Sequence, residues 1–244
     1  MLILFIFGLV LGSFLNVLIY RIPRGESIVL PPSHCPSCDH RLGFFDLFPV
    51  LSYLGLRGRC RYCKTPISWR YPLVELITGG LTLLCWIRFG PSSDGLMALI
   101  LTYALIVIAF IDFEHQLIPN VLTLPMMVIG LLFRIYQGEI IAGILGGLIG
   151  GGLLLIITLL YPKGMGMGDV KFLAMAGVFL GWEKALFVLF NGSFLGVIVI
   201  VPLMLLKKID RKTAFPFGPF LVVGTLIALY WEEIVYRIYG FYGL

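Results

Sequence analysis

The sequence predicts an all-α polytopic membrane protein of about eight transmembrane helices, with a small cytoplasmic loop whose four cysteines suit zinc. Three observations predict it. Of the 244 residues, 59% are hydrophobic and only 13% are charged, and mean hydropathy is +1.01; a soluble domain is nearer 45–50% apolar and about 25% charged. The apolar residues fall into eight segments, most of them near the ~20 residues that a spanning helix needs. The one sizeable polar stretch, 21–71, carries two Cys-x2-Cys pairs. This composition excludes intrinsic disorder, a nucleic-acid-binding module and an ordinary cytosolic enzyme, so the lipid bilayer is an expected partner and nucleic acid is not.

The segments lie at roughly 2–20, 72–90, 95–111, 121–136, 140–161, 170–181, 184–206 and 214–231. They divide the chain into a first transmembrane helix (1–20), a cytoplasmic zinc-binding loop (21–71) and a multi-helix membrane core (72–244). The first segment has no basic n-region and no small-x-small cleavage site, and it runs straight into Tyr20-Arg21. It reads as a retained helix rather than a signal peptide. The sixth is weakest: twelve residues from Val170 to Gly181 reach about 18 Å against a hydrocarbon core of about 30 Å. It either starts below the cytoplasmic surface or is re-entrant.

Orientation follows from the basic residues. The loop 21–71 holds Arg21, Arg24, Arg41, Arg57, Arg59, Arg61, Lys64 and Arg70; the stretch 162–171 adds Lys163 and Lys171, and Lys207, Lys208, Arg211 and Lys212 follow the seventh segment. These are 14 of the 18 Lys and Arg, and eight crossings put all three stretches on one side. The positive-inside rule makes that side cytoplasmic and places both termini outside. Arg88, Arg134, Lys184 and Arg237 fall near the other face.

In the loop, Cys35-Pro36-Ser37-Cys38 and Cys60-Arg61-Tyr62-Cys63 are separated by 21 residues. Two such pairs match tetrahedral zinc, and a closed four-thiolate site has no open position for catalysis. Two disulfides or four free thiols are the alternatives; the cytoplasm disfavours disulfides. His34 and His40 read as surface residues rather than ligands, and Cys85 as a packing residue in the second helix. Between the pairs, Phe44 to Leu54 is apolar but too short to span. It can lie on the bilayer as an interfacial helix or form a small core under the metal module.

Charges at the edges of membrane helices are costly and ask for a reason. Asp112 closes the third helix and Asp169 opens the sixth, in Gly166-Met167-Gly168-Asp169. The topology puts both on the cytoplasmic side, where they can meet at one depth. Two facing carboxylates suffice for acid–base peptide hydrolysis: one activates water, the other protonates the carbonyl oxygen and then the leaving amine. Taken singly, Asp112 reads as a solvated helix end and Asp169 as a cap of the sixth helix. Glu114 and His115 lie farther along the exit loop and read as solvated. Glu75 can pair with a loop arginine or complement its helix N-terminus. Ser13 and Asn16 read as interhelical hydrogen bonders.

Taken together, Gly12-Ser13-Phe14-Leu15-Asn16-Val17, the two Cys pairs, Ser68-Trp69-Arg70-Tyr71-Pro72-Leu73-Val74-Glu75, Ala109-Phe110-Ile111-Asp112, Ile118-Pro119-Asn120, Gly166-Met167-Gly168-Asp169-Val170-Lys171 and Pro216-Phe217-Gly218-Pro219 form an ordered set over nearly the whole chain. The chain resembles the prepilin peptidase family of intramembrane aspartic proteases with a Gly-x-Gly-Asp signature. The resemblance implies Asp112 and Asp169 as the catalytic dyad. It implies cleavage of the basic leaders of type IV prepilins and type II secretion pseudopilins at the cytoplasmic face of the bacterial inner membrane. Family members with the Cys-bearing loop also methylate the new N-terminus with S-adenosylmethionine, an activity the resemblance extends to this chain. No G-x-G-x-x-G element places that cofactor. Two rival readings are a transporter using the intramembrane carboxylates, which inverted repeats would support and none is evident, and a scaffold that docks partners through its zinc loop.

Overall fold

The computed structural model describes residues 1–161, 165–206 and 215–233. Lys163, Lys207, Lys208, Arg211, Lys212 and Arg237, which enter the orientation count, lie outside the described residues. The described residues are helical, and their only strand-like features are two isolated bridges in the loop, His34 with Arg41 and Arg59 with Pro66. The α-helices in chain order are α1 (Leu2–Arg21), α2 (Leu51–Gly55), α3 (Arg70–Phe89), α4 (Ser93–His115), α5 (Asn120–Gln137), α6 (Ile140–Leu160), α7 (Met167–Leu180), α8 (Trp182–Leu205) and α9 (Gly218–Tyr230). All eight expected segments are helices. Six of them (α1, α3, α4, α5, α6 and α8) are long and apolar enough to cross a membrane. The other two, α7 with 14 residues and α9 with 13, reach only about 20 Å at 1.5 Å per residue.

The chain forms two compact units, Met1–Val107 and Ile108–Leu244, with the division inside α4. In the first unit α1 and α3 run antiparallel at close range. A Cβ on Gly8 would lie 2.6 Å from Thr82 Oγ1, and one on Gly12 would lie 2.7 Å from the Glu75 Cα. Without a hydrophobic force between helices in lipid, small residues and polar contacts hold such pairs. Asn16 Nδ2 donates to the Tyr71 carbonyl at 3.0 Å, and Thr82 and Tyr103 share a hydrogen bond of 2.8 Å between α3 and α4. Cys85 is buried and lies 3.3 Å from the Gly95 carbonyl, as a packing residue would.

In the second unit α7 packs against α5, α6, α8 and α9. Ten of its 14 residues are buried, on every side of the helix, which makes it a core helix rather than a lipid-facing one. This accounts for its length. A backbone end inside the membrane is tolerated only where protein satisfies its polar groups. Here Arg134, from the last turn of α5, donates through Nε to the Val178 carbonyl at 3.2 Å and through Nη2 to the Phe179 carbonyl at 2.6 Å. Glu139 pairs with the same guanidinium. Along its length α7 lies backbone-to-backbone with α6, through Gly146 against Gly177 and Gly150 against the Leu173 carbonyl.

Candidate functional site

Asp112 sits three residues before the end of α4, and Asp169 is the third residue of α7. Both are buried, at 5% and 9% exposure, within one compact unit. Each meets the N-terminus of a helix. The first backbone N–H of α9, at Gly218, donates to Asp112 Oδ2 at 2.9 Å. The Gly166 N–H, just ahead of α7, donates to Asp169 Oδ2 at 3.2 Å. Helix N-termini carry partial positive charge and unpaired N–H groups, so each is a natural seat for a carboxylate.

Two glycines make the approach possible. A Cβ on Gly218 would lie 2.6 Å from Asp112 Oδ2, and one on Gly168 would lie 3.0 Å from Ile118 Cβ. Any side chain at 218 would displace the carboxylate, and one at 168 would press on the α4–α5 connection. That connection is tied to α7 by Lys171 Nζ, which donates to Asn120 Oδ1 at 2.9 Å. The site is therefore assembled from one end of α4, α5, α7 and α9. Glu114 and His115 are exposed and stand apart from the buried pair. Asp169 does cap α7, through its bond from the Gly166 N–H. The Gly218 amide was not singled out from the residues themselves. The signal was Pro219, which reads as the first turn of a helix whose free N–H groups need an acceptor.

The second candidate site is the cysteine module. Cys35, Cys38, Cys60 and Cys63 hold their sulfurs within 4.8 Å of one another, and none is in a disulfide. Cys35 Sγ and Cys63 Sγ are 3.8 Å apart. Four sulfurs about 2.3 Å from a central zinc ion would be spaced by about 3.8 Å, so the donor set and its spacing fit a tetrahedral metal. The two halves repeat one turn. The N–H of the first Cys donates to the carbonyl five residues on (Cys35 to His40, 3.0 Å; Cys60 to Thr65, 2.9 Å). Its own carbonyl accepts from the residue four on (Asp39, 2.8 Å; Lys64, 3.1 Å). Asp39 and Lys64 both have positive φ, 54° and 61°, which reverses the chain around the sulfurs. The Cys63 thiol donates to the Thr65 hydroxyl at 3.2 Å. His40 stacks on Tyr62 at 3.5 Å between ring centroids and contributes its carbonyl rather than its ring.

The module is braced from the intervening segment by Asp46. Its carboxylate accepts from Arg61 Nε at 2.6 Å, the Gly43 N–H at 3.1 Å and Tyr62 Oη at 3.3 Å. The Arg61 contact holds Asp46 below the ordinary carboxylate range. Glu75 takes neither of its expected partners. It accepts from the Val50 N–H at 2.7 Å and hydrogen-bonds Ser13, joining the loop to α3 and α1.

Residues 6–89 match the model of the bacterial peptidase A24 N-terminal domain, and residues 99–201 match that of the Type IV leader peptidase family. Among similar curated proteins, a prepilin leader peptidase/N-methyltransferase of Aeromonas hydrophila is 37% identical, covering 96% of this chain and 92% of its own length. The protein of that name from Pseudomonas aeruginosa is 35% identical over 95% of this chain and 90% of its own. One from Myxococcus xanthus is 41% identical over 83% of this chain and 62% of its own. No solved structure matches the chain. A full-length match of this kind, spanning both buried aspartates and the cysteine module, shows that the chain belongs to the Type IV leader peptidase family.

Proposed function

We propose that the protein is a bifunctional membrane enzyme: an aspartic endopeptidase that removes the basic leader of type IV prepilins or pseudopilins, and an N-methyltransferase acting on the residue so exposed. One observation carries the peptidase reading. Two buried carboxylates, one at the end of α4 and one at the start of the protein-covered α7, each accept a backbone N–H at a helix N-terminus. In this reading one of the pair is ionised and takes a proton from water as its oxygen bonds to the scissile carbonyl carbon. The other, protonated, gives its proton to the carbonyl oxygen. When the C–N bond breaks, the leaving nitrogen takes a proton from the first, the second recovers one from a hydroxyl of the tetrahedral intermediate as the carbonyl re-forms, and the pair again shares one. The Gly166 and Gly218 amides hold the two carboxylates in place and leave each with a second oxygen for this exchange.

The family match removes the ground for a transporter. For the cysteine module, the donor chemistry and the 3.8 Å sulfur spacing support zinc as a structural ion held by Cys35, Cys38, Cys60 and Cys63. The methyl donor named by the resemblance is S-adenosylmethionine, and the loop 21–71 is the largest polar surface of the sequence to receive it. The eight basic residues of that loop support a cytoplasmic position, with the dyad on the same side and both termini outside, in an inner membrane.

The test is leader removal from a purified prepilin, read by gel shift, with Asp112→Asn and Asp169→Asn. Asn preserves shape but neither activates water nor shuttles a proton. Each variant should insert normally and lose cleavage, and the double variant should be no worse than either single, because a dyad acts as a unit. A single variant retaining more than a few per cent of activity would remove that residue from the mechanism.

A further inference from the structure

The segment between the two cysteine pairs folds neither as one helix nor as a core. A short turn, Phe44–Asp46, is followed by α2, and the apolar side chains of both point outward. Phe44 is 73% exposed, Phe45 75%, Leu51 65% and Leu54 64%. Phe44 stacks edge-on against Phe45 and Phe48, so the rings form one ridge. Beside it Phe48, Leu51 and Leu56 line a shallow cleft. A contiguous exposed aromatic ridge of this kind marks an interaction surface.

Its depth identifies what covers it. The Val50 N–H, in the middle of the segment, is bonded to Glu75 at 2.7 Å. Glu75 is the sixth residue of α3, so it lies about 7.5 Å along the helix from Arg70. With 20 residues, α3 is about 30 Å long, the thickness of the hydrocarbon core. Trp69, just before it, is 67% exposed, as a residue of the interfacial aromatic belt would be. The segment is thus pinned to a spanning helix at the level where amphipathic elements enter a bilayer, about 5–10 Å below the headgroups. Exposed Arg57, Arg59 and Lys64 follow directly and match anionic headgroups in charge.

We propose that residues 44–55 form a membrane-interface anchor. The Phe44, Phe45, Phe48, Leu51 and Leu54 side chains enter the acyl boundary of an anionic bilayer, and this fixes the cysteine module against the membrane surface. The inference rests on α3 being a span and not on the peptidase reading. The module is coupled to this anchor through Asp46, which lies within the segment and holds Arg61 and Tyr62 of the second cysteine pair.

The test uses the full chain in phosphatidylglycerol nanodiscs with plain or brominated acyl chains. Phe45→Trp and Leu51→Trp are compared with the wild type, whose own tryptophan emission is subtracted. Both sites are exposed, so the pair guards against one variant failing to fold. The expected result is loss of the added emission in brominated bilayers with no pilin present. Emission unquenched at both sites overturns the proposal. So does emission that is unquenched alone and shifts only when a leader-bearing pilin is added, which would give the ridge to the substrate. Neither result bears on leader cleavage.

Discussion

Replacing Gly146 by Ala should disable cleavage from a distance. An added Cβ would lie 2.1 Å from the Gly177 carbonyl oxygen, whereas a carbon and a carbonyl oxygen rest at about 3.3 Å or more. The neighbour is backbone, so the helices must part by about 1.2 Å or hold the strain, which for overpacked sites is about 1–3 kcal/mol. Gly177 and Asp169 are eight residues apart on one short helix, about 12 Å along a rigid rod. A shift at Gly177 therefore carries Asp169 away from Asp112, which α4 holds and the Gly218 amide fixes at 2.9 Å. Misplacing a reacting group by about 1 Å costs on the order of 10²-fold in rate, and that is the loss expected in kcat/KM for leader cleavage. Gly152→Ala is the matched control. It is on the same helix, with nothing within 4 Å of its added Cβ, so it should be fully active and slightly more stable. If Gly146→Ala cleaved within about threefold of wild type, α7 would not be the element that sets the dyad geometry.

Removing the cap on the other end of α7 tests its role in stability. Arg134→Met leaves the Val178 and Phe179 carbonyls without their donor and should cost about 1.5–3 kcal/mol, read as a lower unfolding midpoint in detergent; Arg134→Lys should recover only part, lacking the planar fork. Cys60→Ser should lower bound zinc well below one ion per chain by elemental analysis and make the loop 21–71 more sensitive to protease, because metal binding contributes folding free energy directly.

Much of this architecture could be read from the sequence because bilayer physics is strict. Every spanning helix announced itself by apolar length, and the cysteine module by spacing alone. The length of α7 was the hard part. Twelve apolar residues cannot say whether a helix is re-entrant or short and sheathed, since that depends on Arg134 reaching carbonyls 44 and 45 positions later. Glu75 was misjudged for a similar reason. Its nearest charges in sequence are arginines, but its partner is the backbone of Val50, which has a positive φ of 61° that no local pattern foretells. Asp112 and Asp169 were legible as costly charges at helix ends, while the backbone N–H groups that hold them, at Gly218 and Gly166, required the fold.

The arrangement also explains why a glycine-rich approach and a short helix occur together. A carboxylate held at a helix N-terminus is stabilised as the anion, whereas burial beside a second carboxylate favours one shared proton. Asp169 and Asp112 are each buried and each accept a backbone N–H at a helix N-terminus. A full-length span would place its N-terminus among hydrated headgroups, where water screens both effects. A helix of 14 residues, sheathed by its neighbours and capped at its far end by Arg134, can begin where water is scarce. Gly168 then lets the backbone turn into it against Ile118, where an added Cβ would lie only 3.0 Å away. The short α7 is thus the feature that sets Asp169 within the protein, beside the α4–α5 connection, where the proposed chemistry would use it.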